Sequence, residues 1–135
     1  ALPDHWPEAE PADAEHPFRM IAPPARQFLN ATFTNVPESL RREGRPTCLI
    51  HPADGVRLGI GTGDAVEVGN ARGRVRLHAR LAEGQQPGVV VVESLWPSAA
   101  FAGGDGGINT LIGSAPAAPN DGAAFHDTAV WVRAA

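Results

Sequence analysis

Arg74-Val75-Arg76-Leu77-His78-Ala79-Arg80-Leu81 is the stretch on which the fold class turns. Val75, Leu77, Ala79 and Leu81 fall on one face, and Arg74, Arg76, His78 and Arg80 fall on the other. Period two is the pattern of a strand with one dry and one wet face. Just upstream, Asp64 to Val68 reads as a second strand, with Val66 and Val68 on one face. Asn70-Ala71-Arg72-Gly73 supplies turn residues between the two. The pair is therefore predicted to be a β-hairpin.

On either side of the hairpin the chain offers more short strands. Phe18 to Ala22 is an apolar run stopped by Pro23-Pro24, and Thr47 to Ile50 is another. Pro87-Gly88 turns the chain into four valines, Val89 to Val92, whose unbroken run predicts a strand buried on both faces. Ala129 to Val132 reads as a final strand. Pro37 to Glu43, with Gly44 beyond it, has the proline-first, glycine-last asymmetry of a short helix. His51-Pro52-Ala53-Asp54 opens a second helix, which Gly59 ends. About six strands with two or three short helices imply a mainly β, closed or nearly closed barrel. Residues 1–17 hold four prolines among acids and alanines and read as an extended linker. Residues 97–127, rich in Gly, Ala, Pro, Asn and Asp, read as a long loop, either functional or disordered.

Composition removes several function classes. The 135 residues suffice for one domain, 43% hydrophobic and 19% charged, which favours a globular fold over disorder. A net charge of −4 argues against broad nucleic-acid binding. No apolar run approaches the roughly 20 residues of a membrane span. Cys48 is the sole cysteine, so neither a disulfide framework nor a multi-cysteine metal site is available. All eleven basic residues are arginine. The five histidines show no zinc spacing, and no nucleophile-elbow motif surrounds any serine.

Two features bear on binding. Gly59-Ile60-Gly61-Thr62-Gly63 has part of a dinucleotide-loop spacing, but Asp64 stands where a third glycine belongs. It also follows a helix and precedes a strand, the reverse of the needed order, so a helix-to-strand turn is the better reading. Gln27 to Phe33, Gly107 to Leu111, Asn120-Asp121-Gly122 and Phe125-His126 all lie in loops near strand ends. Their amides and carboxylate offer paired donors and acceptors suited to the edge of a pterin or purine ring. The same residue types also simply make turns, and residue types alone leave the two readings open.

The order of segments is more specific than any one of them. Phe18-Arg19-Met20-Ile21-Ala22-Pro23-Pro24 precedes Phe28-Leu29-Asn30-Ala31-Thr32-Phe33. Ile50-His51-Pro52-Ala53-Asp54, Gly63-Asp64-Ala65-Val66, Arg72-Gly73 and Pro87-Gly88-Val89-Val90 follow, then Asn109-Thr110-Leu111 and Phe125-His126. This series closely resembles the C-terminal dinucleotide-binding domain of bacterial molybdopterin-dependent oxidoreductases of the dimethyl sulfoxide reductase family, over about residues 17–133.

The resemblance implies a double-psi β-barrel at 18–135, preceded by the linker at 1–17. It implies that the barrel helps hold one molybdopterin guanine dinucleotide in a larger enzyme, whose other domains are its partners and hold the molybdenum or tungsten. No complete active site is then expected here, no catalytic residue, and no catalysis by the chain on its own. Carried over, Asn30, Thr32 and Phe33 would line the pterin side, and Asn109, Asp121 and His126 would also meet the cofactor. Asp54, Gly63 and Asp64 match the barrel's structural signature and would serve as turn and cap groups. Ile112 departs from the family's threonine, Gly55 from its alanine, Leu95-Trp96-Pro97 from its glycine–tryptophan pair, and His126 from a frequent lysine. The alternative is a free-standing double-psi barrel acting as an interaction or docking module. Localisation is open, with cytoplasmic slightly favoured over periplasmic.

Overall fold

The computed structural model describes residues 4–93, 95–104 and 106–135, so the first three residues of the 1–17 segment lie outside it. In chain order the elements are β1 (Phe18–Ile21), α1 (Pro37–Glu43), β2 (Thr47–Ile50), α2 (Pro52–Leu58), β3 (Ala65–Asn70), β4 (Gly73–Leu81), β5 (Val89–Val92), β6 (Pro116–Ala117), β7 (Gly122–Ala123) and β8 (Thr128–Ala134). Six of the strands close a barrel in the order β1-β5-β2-β4-β3-β8. β1 pairs with β5, and β2 with β4, in parallel; the remaining junctions are antiparallel. The fold is a mainly β double-psi barrel with two short α-helices. Closure leaves the main strands no free edge to recruit another chain.

The period-two pattern of β4 sets the inside of the barrel. Val75, Leu77 and Ala79 are buried, as are Val66 and Val68 opposite them. Phe18 and Met20, Cys48 and Ile50, Val90 and Val92, and Val130 and Val132 complete the core. Burial pushes the Cys48 thiol up to about 12, so it stays protonated and inert near neutrality.

Three expectations are corrected. Val89 and Val91 are half-buried, and only Val90 and Val92 are fully inside. A barrel strand has one inner face, so alternate valines must point outward. The hairpin strands run on to Asn70 and Gly73, which pair with each other, leaving Ala71-Arg72 as a two-residue connection. Residues 97–127 are not one unbroken loop: 3₁₀ turns occupy Ser98–Ala100 and Ile108–Leu111, and β6 and β7 form a small hairpin.

Helix α2 shows how local chemistry joins the elements. His51 Nδ1 accepts the Ala53 N–H at 3.1 Å, and Gly59 closes the helix at φ +68°. The buried Asp54 carboxylate accepts the Gly88 N–H at 2.8 Å and Arg57 Nη2 at 2.9 Å, tying α2 to the turn before β5. Burial pushes its pKa up, but those two donors outweigh it and hold the carboxyl below its usual range. Gly55 has a steric reason: a Cβ there would come within 2.6 Å of Leu81 Cδ2 and 2.9 Å of the Ile60 carbonyl oxygen.

On the outer wall, the β3–β4 register sets Glu67 opposite Arg76, and the β3–β8 register sets it opposite Arg133. Arg76 Nε donates to one carboxylate oxygen at 2.8 Å and Arg133 Nη2 to the other at 2.7 Å, while Arg74 stands 3.6 Å away. Hydrogen bonds from Arg76 and Arg133 hold the Glu67 carboxyl below its ordinary range. Beside it, Trp131 lies over Gly69, and the Arg133 guanidinium stacks on the indole at 4.2 Å.

Candidate functional site

The glycine-rich segment is not a phosphate cradle. The Ile60 N–H donates to the Gly55 carbonyl, the Gly61 N–H to Asp64 Oδ2 at 2.7 Å, and the Gly63 N–H to the Ala79 carbonyl at 2.8 Å. Donors consumed within the fold cannot receive an anion. Asp64 is thus a turn group.

The open end of the barrel offers something different. β1 and β5 run parallel and end side by side, and β8 starts beside the end of β1, with Met20 opposite Thr128. The segments that leave or enter the barrel there surround a cleft of about 350 Å³. Its apolar wall is Ala22, Pro24, Leu95, Ile112 and Phe125; its polar groups are Asn30, Asn109 and His126. Asn109 also borders a second cleft, of about 280 Å³, with Trp96, Ser98 and Thr110.

Two loops of this rim are anchored by one aromatic pair. Phe28 and Trp96 are both buried and meet edge to face, with centroids 4.9 Å apart. Trp96 is therefore core support for its neighbour Leu95 and for the loop of Asn30, while also bordering the second cleft. Asn30 itself sits in a tight turn in which the Leu29 and Thr32 N–H groups donate to each other's carbonyls at 3.1 and 2.9 Å. Asn109 lies within the 3₁₀ turn at Ile108–Leu111, whose Ile108 and Leu111 are buried, leaving Asn109 facing out.

Of the six residues the sequence singled out, the cleft gathers Asn30, Asn109 and His126. Thr32 closes the turn that carries Asn30, and Phe33 follows it at 47% exposure; neither lines the cleft. Asp121 lies just ahead of β7 in the small hairpin, exposed and away from the lining. Asn30, Phe33 and Asp121 share one property. They are the non-glycine residues with positive φ among the described residues, at +50°, +73° and +54°. Asn and Asp visit this region readily, but for a bulky Phe it costs about 1–2 kcal/mol. Such strain concentrates where a ligand is met.

The polar groups are also free. Among the described residues no hydrogen bond engages the side chain of Asn30, Asn109 or His126. Asn70 contrasts with them: its amide nitrogen donates to the Leu111 carbonyl at 2.9 Å and its oxygen accepts the Arg72 N–H at 2.9 Å. The cleft thus presents two open amides and an imidazole beside an apolar wall, which suits the edge and face of a flat heterocycle. None of its lining residues carries a fixed positive charge, so it fits a ring better than a diphosphate. Among the described residues no group of three or more His, Cys, Asp or Glu is placed to hold a metal ion.

Sequence reasoning missed Ala22, Pro24 and Leu95 as cleft walls, although the Pro23-Pro24 stop at the end of β1 marked the place. It also missed Glu67, whose signal was its cross-strand partner Arg76.

A closed six-stranded barrel with an open cleft at one end places the chain in the class of double-psi β-barrels. The family model for the "Molydopterin dinucleotide binding domain" matches residues 18–129, and the chain belongs to that family. The Bacillus subtilis protein named "Probable oxidoreductase YoaE" is 38% identical over 96 residues, which is 71% of this chain and 14% of the relative. The dimethyl sulfoxide reductase DmsA of Escherichia coli is 29% identical over 126 residues, 91% of this chain and 15% of the relative. The chain thus spans about 15% of the length of these curated relatives. Acetylene hydratase from Pelobacter acetylenicus superposes with a TM-score of 0.73 at 16% identity, over 90% of this chain and 19% of that one, which bears on the fold alone. Among the described residues no helix is long and apolar enough to cross a membrane.

Proposed function

We propose that residues 18–135 are the C-terminal cofactor domain of a larger bacterial molybdopterin-dependent oxidoreductase, joined to it through residues 1–17, and that its cleft holds part of one molybdopterin guanine dinucleotide. The observation that carries this reading is the convergence of the unengaged Asn30, Asn109 and His126 side chains on one cleft. The two amides would donate to and accept from the edge of a fused ring, and Phe125 and Leu95 would lie along its apolar surface. Thr32, Phe33 and Asp121, which do not line the cleft, would meet parts of the ligand outside it. The diphosphate, the metal and the substrate would be met by other domains, which fits a cleft without fixed positive charge and a chain much shorter than its relatives. When bound, the cofactor supplies metal-centred redox chemistry through its dithiolene end; this chain's residues bind and orient it. They contribute no catalytic group of their own.

An antibody to this barrel should detect, in source cells, a polypeptide several times heavier than 135 residues, and the purified protein should carry molybdenum or tungsten and release a fluorescent pterin on oxidation. A band at the chain's own mass, with no pterin, would leave the docking-module alternative in its place.

A further inference from the structure

We propose that the arm segment 8–10 is a strap that sets the two walls of the cleft, with Glu10 as its positioning residue; the inference rests on the cofactor reading above. Neither wall belongs to the main sheet. One is the 3₁₀ turn at Ile108–Leu111, which carries Asn109. The other is the Phe125-His126 segment that leads into β8. Each is held at its end by the arm.

Glu10 Oε2 accepts Arg72 Nη2 at 2.8 Å and the Ala129 N–H at 3.3 Å. Arg72 Nε in turn donates to the Leu111 carbonyl at 2.9 Å, two residues beyond Asn109. The Leu111 carbonyl also accepts Asn70 Nδ2 at 2.9 Å, so the Glu10 carboxylate, acting through Arg72, is the second tie on the end of the 3₁₀ wall and joins it to the start of β8. The carboxylate lies close against Gly113, where a Cβ would meet Glu10 Oε1 at 2.6 Å and would push the carboxylate aside. On the other wall the Ala9 N–H donates to Asp127 Oδ2 at 2.7 Å, immediately after His126. Arg19 of β1 bridges Asp127 at 2.8 Å and Glu8 at 2.7 Å. Three consecutive arm residues thus reach both walls, with acids on the arm meeting arginines on the barrel.

The Glu10–Arg72 pair is only partly buried, so it adds little to global stability. Its effect is local, and that separates a strap from a mere tether. Hydrogen exchange should be followed on the full 135-residue chain, wild type against Glu10→Ala and Glu10→Gln. In Glu10→Ala the Ala129 amide, which loses its acceptor, should exchange roughly tenfold faster, the size of one lost hydrogen bond to a charged group. The Ile112 amide, whose wall keeps its Asn70 bond, should exchange faster by a smaller factor. Amides of β2 and β4 should be unchanged. Glu10→Gln keeps an acceptor for Ala129 but loses the charge facing Arg72, and should fall between. In the cofactor-bearing protein Glu10→Ala should retain several-fold less pterin. Unchanged exchange at both walls would overturn the strap. If the walls loosen in Glu10→Ala while Asn109→Ala keeps a full complement of pterin, the strap stands and the cofactor reading falls.

Discussion

Glu67 on the outer wall is 5% exposed and both its oxygens are held by arginines, whereas the side chains of Asn30, Asn109 and His126 at the cleft are exposed and hold no hydrogen bond among the described residues. The wall also fits itself sterically, with Trp131 laid over Gly69. The cleft end instead keeps a phenylalanine at positive φ and leaves Phe125 57% exposed. A polar group whose partners lie within the fold serves the fold; one left open on a strained, apolar rim is available to something else. On this reading, substitutions on the wall change stability and leave ligand retention alone, and substitutions at the cleft do the reverse.

The strongest way to break the wall is Gly69→Val. Any Cβ there would meet Trp131 Cζ2 at 2.3 Å, so the indole must leave its place between β3 and β8. The expected loss is about 3 kcal/mol, at the upper end for overpacking, read from urea unfolding. A loss below about 0.5 kcal/mol would mean that the wall is not close-packed.

Glu67→Gln should come next, at about 1–2 kcal/mol, since hydrogen bonds to charged groups are weakened rather than deleted. It also carries a pH signature. The folded Glu67 pKa is depressed, so its contribution is complete above the ordinary carboxylate value of about 4.3 and is lost as pH falls through the lower folded value. The stability gap between wild type and Glu67→Gln should therefore close in that acidic window. A gap that stays constant down to the acid transition would show that the charge of Glu67 is not what Arg76 and Arg133 hold.

Phe33→Gly should have the smallest effect on stability and sharpen the contrast. Glycine relieves a positive φ at +73° but adds entropy to the unfolded chain, so unfolding free energy should move by less than about 1 kcal/mol. Pterin retention should fall if Phe33 borders the ligand. A large loss of stability would mean that its exposed ring is structural.

Most of the barrel was legible in the sequence because period two, prolines and glycines act locally. β4, α1 and α2 follow directly from the alternation, from Pro37 and Pro52, and from Gly44 and Gly59. Burial of β5 on one face alone was not legible, since four valines look the same on either side until the barrel closes. The site was legible only in part. Asn30, Asn109 and His126 lie far apart in the chain and meet because β1 ends where β8 begins, which is a property of topology. Thr32, Phe33 and Asp121 were carried by resemblance, and nothing in their residue types shows that they stand outside the cleft. Glu67 could have been found by pairing it with Arg76 across the turn, because the Asn70–Gly73 pairing fixes the register. The contacts of Glu10 with Arg72 and Ala129 span too much sequence for any local pattern.

The central claim is that the free amide of Asn109 holds cofactor, and it is tested most directly by measuring pterin and metal content in the cofactor-bearing protein with Asn109→Ala. The account predicts a roughly threefold to tenfold loss, the worth of one or two neutral hydrogen bonds, with an unfolding midpoint like that of wild type. A full complement of pterin and metal in that variant would contradict it.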